Sequence, residues 1–225
     1  GAGTRDLSSF QGHGSVAHPH GILITWVLLT EGGILVNANG RRFTNEHEGY
    51  SEQAKRVLAQ VDGLAWDIYD HRLHLLGLGF EEYREANKLG AVKSASTIEG
   101  LADILGLPAN ELTATVNECA ELSKGKIADP FKRNFTTKPN LTPPYYGIQV
   151  TGSLFHTQGG LIVNEHAYVL QKDGAPFPNL LASGGAAAGI SGPADWGYLS
   201  GNGLLSAISL GRIAGLASTD LVHKN

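Results

Sequence analysis

Methionine does not occur in this 225-residue chain, and cysteine occurs once, as Cys119. A lone cysteine excludes an internal disulfide and a cysteine-based zinc site, and it suits a reducing compartment, so the cytoplasm is the expected location. Without methionine there is no initiator, and Gly1-Ala2-Gly3 reads as the middle of a longer protein, so the chain is expected to be a fragment. Long apolar runs are also missing. A run such as residues 21–29 falls well short of the roughly 18 residues that cross a bilayer, and no charged-then-apolar leader opens the sequence. Basic residues number 17 against 21 acidic ones, a formal charge of −4, with no basic block. A nucleic-acid partner is therefore not expected, and the chain reads as soluble.

What the chain has in excess is glycine, 30 residues in all, against a usual share of roughly 7%. The glycines gather at positions 32–40 and 152–215 without a repeat period. Such clusters mark close backbone approach and sharp turns. At about 150 residues per domain, the length allows one or two domains with a real core. Asn39-Gly40 between two extended runs predicts a β-ribbon closed by a type I′ turn. Ser51 is expected to cap a helix to about residue 60, with a short strand at 66–69 and a charged helix at 81–89. Ser96 with Glu99 predicts a capping box and a helix ending near Gly106. Asn110 is expected to cap the clearest helix, where Leu112, Val116, Cys119 and Leu122 share one stripe and place Cys119 inside. Residues 124–144 are polar, carry Pro130, Pro139, Pro143 and Pro144, and read as a long connection and candidate domain boundary. Strand-like runs follow at 146–150, 160–164 and 167–171, then a turn at Asp173-Gly174, an apolar run at 180–183 and a final helix over 203–221.

Several groupings carry chemistry. Ser200-Gly201-Asn202-Gly203 leads into the last helix, where small residues admit a ligand to the backbone and helix N-terminal amides suit a phosphate. The same run serves equally well as a cap that packs closely. Residues 201–206 read G-x-G-x-x-S, but no strand precedes them, and Asp220 falls at the far end of the helix, so this alone is no dinucleotide fingerprint. Phe155-His156-Thr157-Gln158-Gly159-Gly160-Leu161 offers an imidazole and backbone amides at one spot, suited to a carbonyl or carboxylate oxygen; a solvated turn with a structural histidine is the alternative. In His18-Pro19-His20, Pro19 is expected to hold the backbone extended and part the two rings. With no carboxylate or thiolate nearby and His13 the only neighbour, no metal is expected, and His18 reads as a substrate-binding residue. Tyr50 and Tyr198 both stand beside glycine loops.

Three stretches taken together are more specific: Gly33-Ile34-Leu35-Val36-Asn37-Ala38-Asn39-Gly40-Arg41-Arg42-Phe43-Thr44-Asn45-Glu46, then His156-Thr157-Gln158-Gly159-Gly160-Leu161, then Gly197-Tyr198-Leu199-Ser200-Gly201-Asn202-Gly203-Leu204 with Gly211-Arg212-Ile213-Ala214-Gly215. In this order they resemble the fumarate reductase and succinate dehydrogenase flavoprotein family, including its ketosteroid dehydrogenase relatives. The resemblance covers essentially the whole chain but only the later part of the family's fold. It implies an α+β arrangement: a substrate-capping domain at 14–154 and the C-terminal part of a Rossmann-like FAD-binding domain at 155–225, with 1–13 at its edge. The N-terminal dinucleotide-binding half is absent from the sequence and is the implied partner. FAD is the implied cofactor, with a cap closing over flavin and substrate and hydride passing between substrate carbon and flavin N5. By motif match, His18 and His156 meet the substrate, His20 standing where the family has Thr. Gly159 and Gly160 follow His156 in its motif. Gly184 and Gly185 lie in the flavin-contacting loop, Gly185 standing where a Glu is usual. Ser200, Gly201, Asn202, Gly203 and Leu204 form the turn that meets the isoalloxazine.

The departures set the substrate class. Where dicarboxylate reductases carry a proton-donating Arg, this chain has Tyr50; where a second Arg clamps a carboxylate, it has Tyr198. The acid and Arg of the proton relay fall on Trp26 and Leu29. Tyrosine cannot reproduce a bidentate Arg–carboxylate pair, so the resemblance points to dehydrogenation or reduction of a C–C bond next to a carbonyl in an enone or steroid-like small molecule. Tyr50 would transfer the proton, with His156, Tyr198 and His18 holding the oxygen. A tyrosine of ordinary pKa, about 10, needs that value lowered or a water relay to act as base. Two alternatives stand: a flavin-free module binding an anionic or carbonyl ligand, and a true dicarboxylate reductase using Arg41, Arg42 or Arg133.

Overall fold

The computed structural model describes residues 1–222, so the last three positions of the 155–225 segment lie outside the described residues. The chain opens with β1 (Thr4–Arg5), β2 (Phe10–Ala17), β3 (Ile22–Leu23), α1 (Val27–Thr30) and β4 (Ile34–Val36). There follow α2 (Tyr50–Leu58), β5 (Leu64–Asp70), α3 (His71–Gly77), α4 (Glu81–Lys88), β6 (Lys93–Ala95), α5 (Ile98–Leu105) and α6 (Ala109–Leu122). The last part holds β7 (Tyr145–Thr157), β8 (Gly160–Leu161), β9 (Tyr168–Leu170), β10 (Pro176–Leu181) and α7 (Asn202–Val222). Two compact units result: one joins Gly1–Gly12 to the chain from Leu154 onward, the other is His13–Ser153. The chain leaves the first unit along β2 and returns along β7.

In the unit His13–Ser153 the sheet runs β3-β2-β7-β5-β4, with β6 also on β7. β5 is central, antiparallel to β4 (Leu35 opposite Asp67) and to β7 (Ile148 opposite Asp67). Side chains alternate across a strand, and here both faces are covered. Leu35, Ala65, Tyr69 and Val150 pack with Leu28, Leu29, Val57, Leu73 and Tyr83 of α1 to α4. Ile34, Val36, Trp66 and Ile68 pack with Leu101, Leu112, Cys119 and Leu122 of α5 and α6. With water excluded from both faces, β5 is largely apolar, and its two acids, Asp67 in the middle and Asp70 at the end, are both buried.

Several local expectations shift by a residue or two. Asn37-Ala38-Asn39-Gly40 forms the ribbon turn, but Gly40 alone takes the left-handed conformation, φ 71, with its N–H on the Asn37 carbonyl at 2.9 Å. The ribbon closes through one bridge, Val36 to Arg42, because β4 is paired along its length with β5 instead. Helix α2 is capped by Gly49, not Ser51, and α6 starts after Pro108, not Asn110. At α5 the cap is Thr97, whose side chain accepts from the Gly100 N–H at 3.1 Å, while Glu99 instead accepts from Thr113. Helix α3 was not foreseen; Asp70 caps it by accepting from the Leu73 N–H.

The expected boundary at 124–144 lies within the unit His13–Ser153. Its backbone is irregular, yet Asp129, Arg133 and Phe135 are buried. Glu46, fully buried, accepts from Arg42 Nη2 at 2.7 Å and lies 3.1 Å from Arg133 Nη1. Arg42 Nη1 reaches Asp129 at 2.7 Å, and Arg133 Nη1 donates to the Gly33 carbonyl at 2.8 Å. The Phe135 ring lies under both guanidinium groups, at 4.6 and 4.4 Å. Two acids and two arginines cancel in charge, and the connection is thereby fastened to the sheet.

In the other unit β1 pairs with β8 (Thr4 opposite Leu161) and β9 with β10. A small core of Val169, Ala182 and Ala187 lies among them. Among the described residues no helix is long and apolar enough to cross a membrane.

Removing one partner of a buried ion-pair group leaves an uncompensated charge. In the full-length protein Glu46→Gln is expected to lower unfolding stability by about 3–5 kcal/mol in urea titrations; a loss below about 1 kcal/mol would show that the connection is held by other contacts.

Candidate functional site

The first unit gathers most of the predicted residues around the start of α7. β7 ends in Phe155-His156-Thr157, and Gln158 follows, 3% exposed. The N–H groups of Gln158 and Gly159 both donate to the Ser9 carbonyl, at 3.0 and 3.3 Å. The expectation that the amides after His156 stand open to a ligand is therefore not met at these two positions. Gly159 lies against the Asp6 backbone and Gly160 against Ala186, each too close for a Cβ. Both glycines let backbone segments pass.

Asn202, the first residue of α7, is 1% exposed and holds four groups. Its Oδ1 accepts from the Ile190 N–H at 3.2 Å and from Ser206 Oγ at 3.0 Å. Its Nδ2 donates to Gln158 Oε1 and to Ser191 Oγ. Ser191 Oγ also accepts from the Leu199 N–H at 3.1 Å. Gln158 Nε2 lies 3.2 Å from His156 Nδ1. The other ring nitrogen, Nε2, faces glycine: a Cβ on Gly203 would come within 3.2 Å of it, and one on Gly185 within 3.6 Å. Gly184 (φ 56) and Gly201 (φ 81) take left-handed conformations, and a Cβ on Gly201 would meet nothing. Ser200, Gly201 and Leu204 are exposed.

The loop from Gly189 to Ser200 is pinched where Gly192 and Gly197 touch through a backbone bond of 2.8 Å. Arg5 and Ser8 tie it to the first residues of the chain, donating to the Gly189 and Pro193 carbonyls. Tyr198, half-buried, sits on this loop.

Tyr50 and His18 belong to the other unit. Tyr50 opens α2 and stacks on His13, ring centroids 5.0 Å apart, while Trp26 meets His13 edge-on. His18 is exposed at the β2–β3 turn, and the His18–Pro19 peptide is cis, so the backbone there turns instead of extending. Among the described residues no three His, Cys, Asp or Glu side chains converge on a metal position. Arg42 and Arg133 are held in the interior by Glu46 and Asp129 and are not free to clamp a carboxylate, while Arg41 pairs with Glu111 at the surface. Cys119 lines a cavity of about 20 Å³, room for a single water. Burial pushes its thiol up to about 12, which leaves it unreactive.

The sequence reading missed Gln158 and Ser191, whose only signal is proximity to glycine. It also missed the buried pair Ser15–Asp67, whose Ser15 Oγ donates at 2.5 Å, and the burial of His13. The alternation of β2 carries that last signal: His13, Ser15 and Ala17 share a face.

A family model described as FAD binding domain matches residues 5–204. The fumarate reductase (cytochrome) of Shewanella frigidimarina is 29% identical over 226 residues, covering all of this chain and 38% of that protein. The 3-oxosteroid 1-dehydrogenase of Mycobacterium tuberculosis is 28% identical over 234 residues, covering 88% of this chain and 41% of its own length. Among solved structures, the open conformation of a flavocytochrome c3 fumarate reductase superposes with a TM-score of 0.75 at 27% identity, covering 98% of this chain and 38% of that one. The chain thus spans about two-fifths of the length of such relatives.

Two buried groups beneath Tyr50 have opposed pH responses. Burial lowers His13 from 6.5 to about 4, against a smaller opposing effect from the Ser15 backbone. Burial raises Asp67 from 3.8 to about 7 despite the Ser15 hydrogen bond. The His13 contribution to stability is complete above pH 6.5 and lost as pH falls toward 4, because only the unfolded chain takes up that proton. The Asp67 contribution is complete below 3.8 and lost as pH rises through 7. His13→Phe removes the first slope and leaves the second. Thermal unfolding of the full-length protein is expected to show the variant gaining about 2–3 kcal/mol relative to the native protein between pH 7 and pH 4; a difference flat with pH would remove His13 as the titrating group.

Proposed function

The chain belongs to the FAD binding domain family, and from that footing we propose that it is part of an FAD-dependent oxidoreductase that introduces or reduces a C–C double bond next to a carbonyl. The observation that carries this reading is the bare approach to His156. Gly185 and Gly203 lie against its outer nitrogen, so no side chain from either position covers the imidazole, and the ring stands beside the start of α7, where helix amides favour an anionic or carbonyl oxygen.

FAD is the cofactor of the family, and the residues present fit its flavin end. Gly201 and Gly184 hold left-handed turns, Gly201 with open space where a side chain would project, so backbone amides are accessible to a planar ligand. Ser200, Gly201, Asn202, Gly203 and Leu204 would hold the flavin through the start of α7, with Gly184 and Gly185 as the second wall. Gly159 and Gly160 support this wall by letting the Asp6 and Ala186 backbones close behind it. Bound FAD supplies the hydride-exchanging centre.

The chain's own residues supply the rest. His156 and Tyr198 donate hydrogen bonds to the substrate oxygen, drawing charge away from the adjacent C–C bond, and His18 assists at the same oxygen. Tyr50, its ring fixed by the stack on His13, moves the proton. An enone or steroid-like carbonyl compound is the preferred substrate class, because Tyr50 and Tyr198 stand at the arginine positions and the arginines at hand are paired with acids. We assign the dinucleotide-binding half to the length of the relatives that this chain does not span. Helix α7 is rich in apolar residues, of which Leu204, Leu205, Ile208 and Leu216 are more than half exposed; such a helix calls for a covering partner, and that half is the one we assign. The single buried thiol fits a cytoplasmic setting.

Turnover of an enone by the full-length Tyr50→Phe enzyme tests the assignment. A drop of about a hundredfold or more is expected for a lost proton-transfer group, with flavin content unchanged. Near-native rates would remove Tyr50 from the chemistry, and stronger competition by fumarate or succinate than by a steroid enone would return a dicarboxylate substrate.

A further inference from the structure

We infer that Gln158 fixes His156 as a hydrogen-bond donor at Nε2, making Gln158 a positioning residue that selects substrates with an acceptor oxygen at this point. The inference deepens the function proposed above and rests on that reading for the identity of the acceptor. The tautomer itself follows from the polarity of one hydrogen-bond chain.

The chain starts at a group that has no alternative role. The backbone N–H of Ile190 is a donor only, so the Asn202 side-chain atom it meets at 3.2 Å is the oxygen. Ser206 Oγ, 3.0 Å away, donates to the same atom. The amide nitrogen of Asn202 therefore points the other way and donates to Gln158 Oε1. A second anchor agrees. The Leu199 N–H occupies Ser191 Oγ as acceptor at 3.1 Å, which directs the Ser191 hydroxyl hydrogen to Gln158 Oε1, 3.4 Å away. With its oxygen engaged by two donors, Gln158 turns its NH₂ toward His156 Nδ1 at 3.2 Å. An NH₂ group has no lone pair to offer there, so Nδ1 accepts and the ring hydrogen resides on Nε2. That nitrogen is bordered by Gly185 and Gly203, neither of which places a side chain over it.

Because Asn202, Gln158, Ser191 and Ser206 are all nearly completely buried, water does not compete for these bonds. The outward face of His156 is thus a donor, matched to a carbonyl or carboxylate oxygen and mismatched to a group that can only donate, such as an ammonium.

The test uses the full-length, FAD-loaded enzyme with ¹⁵N-labelled histidine, since long-range ¹⁵N–¹H spectra distinguish a ring protonated at Nε2 from one protonated at Nδ1. The native His156 is expected as the Nε2–H tautomer. Gln158→Glu keeps the shape and the Asn202 contact but presents a carboxylate to Nδ1, and is expected to put a proton on Nδ1. Asn202→Asp still accepts from Ile190 and Ser206 but withdraws the donor from Gln158, so the Gln158 amide reverses and the tautomer changes with Gln158 and His156 both kept; because Asn202 also belongs to the proposed flavin turn, kinetics are compared per bound flavin. In that second variant kcat/KM for an enone is expected to fall about tenfold or more, as for a lost oxyanion donor. A native ring protonated at Nδ1, or an unchanged tautomer in Asn202→Asp, would overturn the inference. A correct tautomer without any enone turnover would leave it standing and reject the proposed substrate class instead.

Discussion

A fully buried carboxylate persists only when donors surround it, and Glu46 obtains them from parts of the chain far apart in sequence. Its oxygens accept from the Leu35 N–H of β4 and from Arg42, with Arg133 of the long connection close by. Asp129 closes the group through Arg42. The edge of the sheet, the ribbon turn and residues 124–144 are consequently set by one charge. This explains why a stretch rich in proline and polar residues is part of a packed unit. It also explains why the arginines that could have bound a dicarboxylate are not free to do so: an arginine released from Glu46 would leave a bare charge in the core.

Asn202 plays a similar part in the other unit, with neutral groups. The start of α7 is fastened through the side chain of its own first residue, Asn202. That side chain ties the helix start outward, to Gln158 and to the loop at Ile190 and Ser191. Geometry at His156 and the anchoring of α7 are two results of the same set of bonds. The glycines around them are the complement: they keep side chains out of the space that the network orients.

Much of this could be read from the sequence. The stripe of Leu112, Cys119 and Leu122, the charged helix α4 and the final helix follow from periodicity, which reports burial directly. Capping residues were misplaced by a position or more, since Ser51, Ser96 and Asn110 each have a neighbour that serves as well, and tertiary contacts decide between them. Motifs located His156 and the start of α7. They gave no warning of Gln158, because an amide acquires its role from what it touches 33 and 44 positions further along, at Ser191 and Asn202. The burial of Asp67 was hidden for the opposite reason: an acid in the middle of β5 resembles a solvent-facing residue of a one-sided sheet, and only the helix layers on both faces show otherwise.

The strand pairing of β1 with β8 has a consequence for how the chain is made. Residues 1–12 leave the ribosome well before their partners from Leu154 onward, with the whole of His13–Ser153 synthesised in between. The intervening unit carries its own two-sided core and can complete itself while the opening segment waits unpaired. Closure of the first unit is therefore a late, long-range event. A nascent chain stalled before β8 would display the opening segment without its pairing strand, where chaperones and proteases can find it.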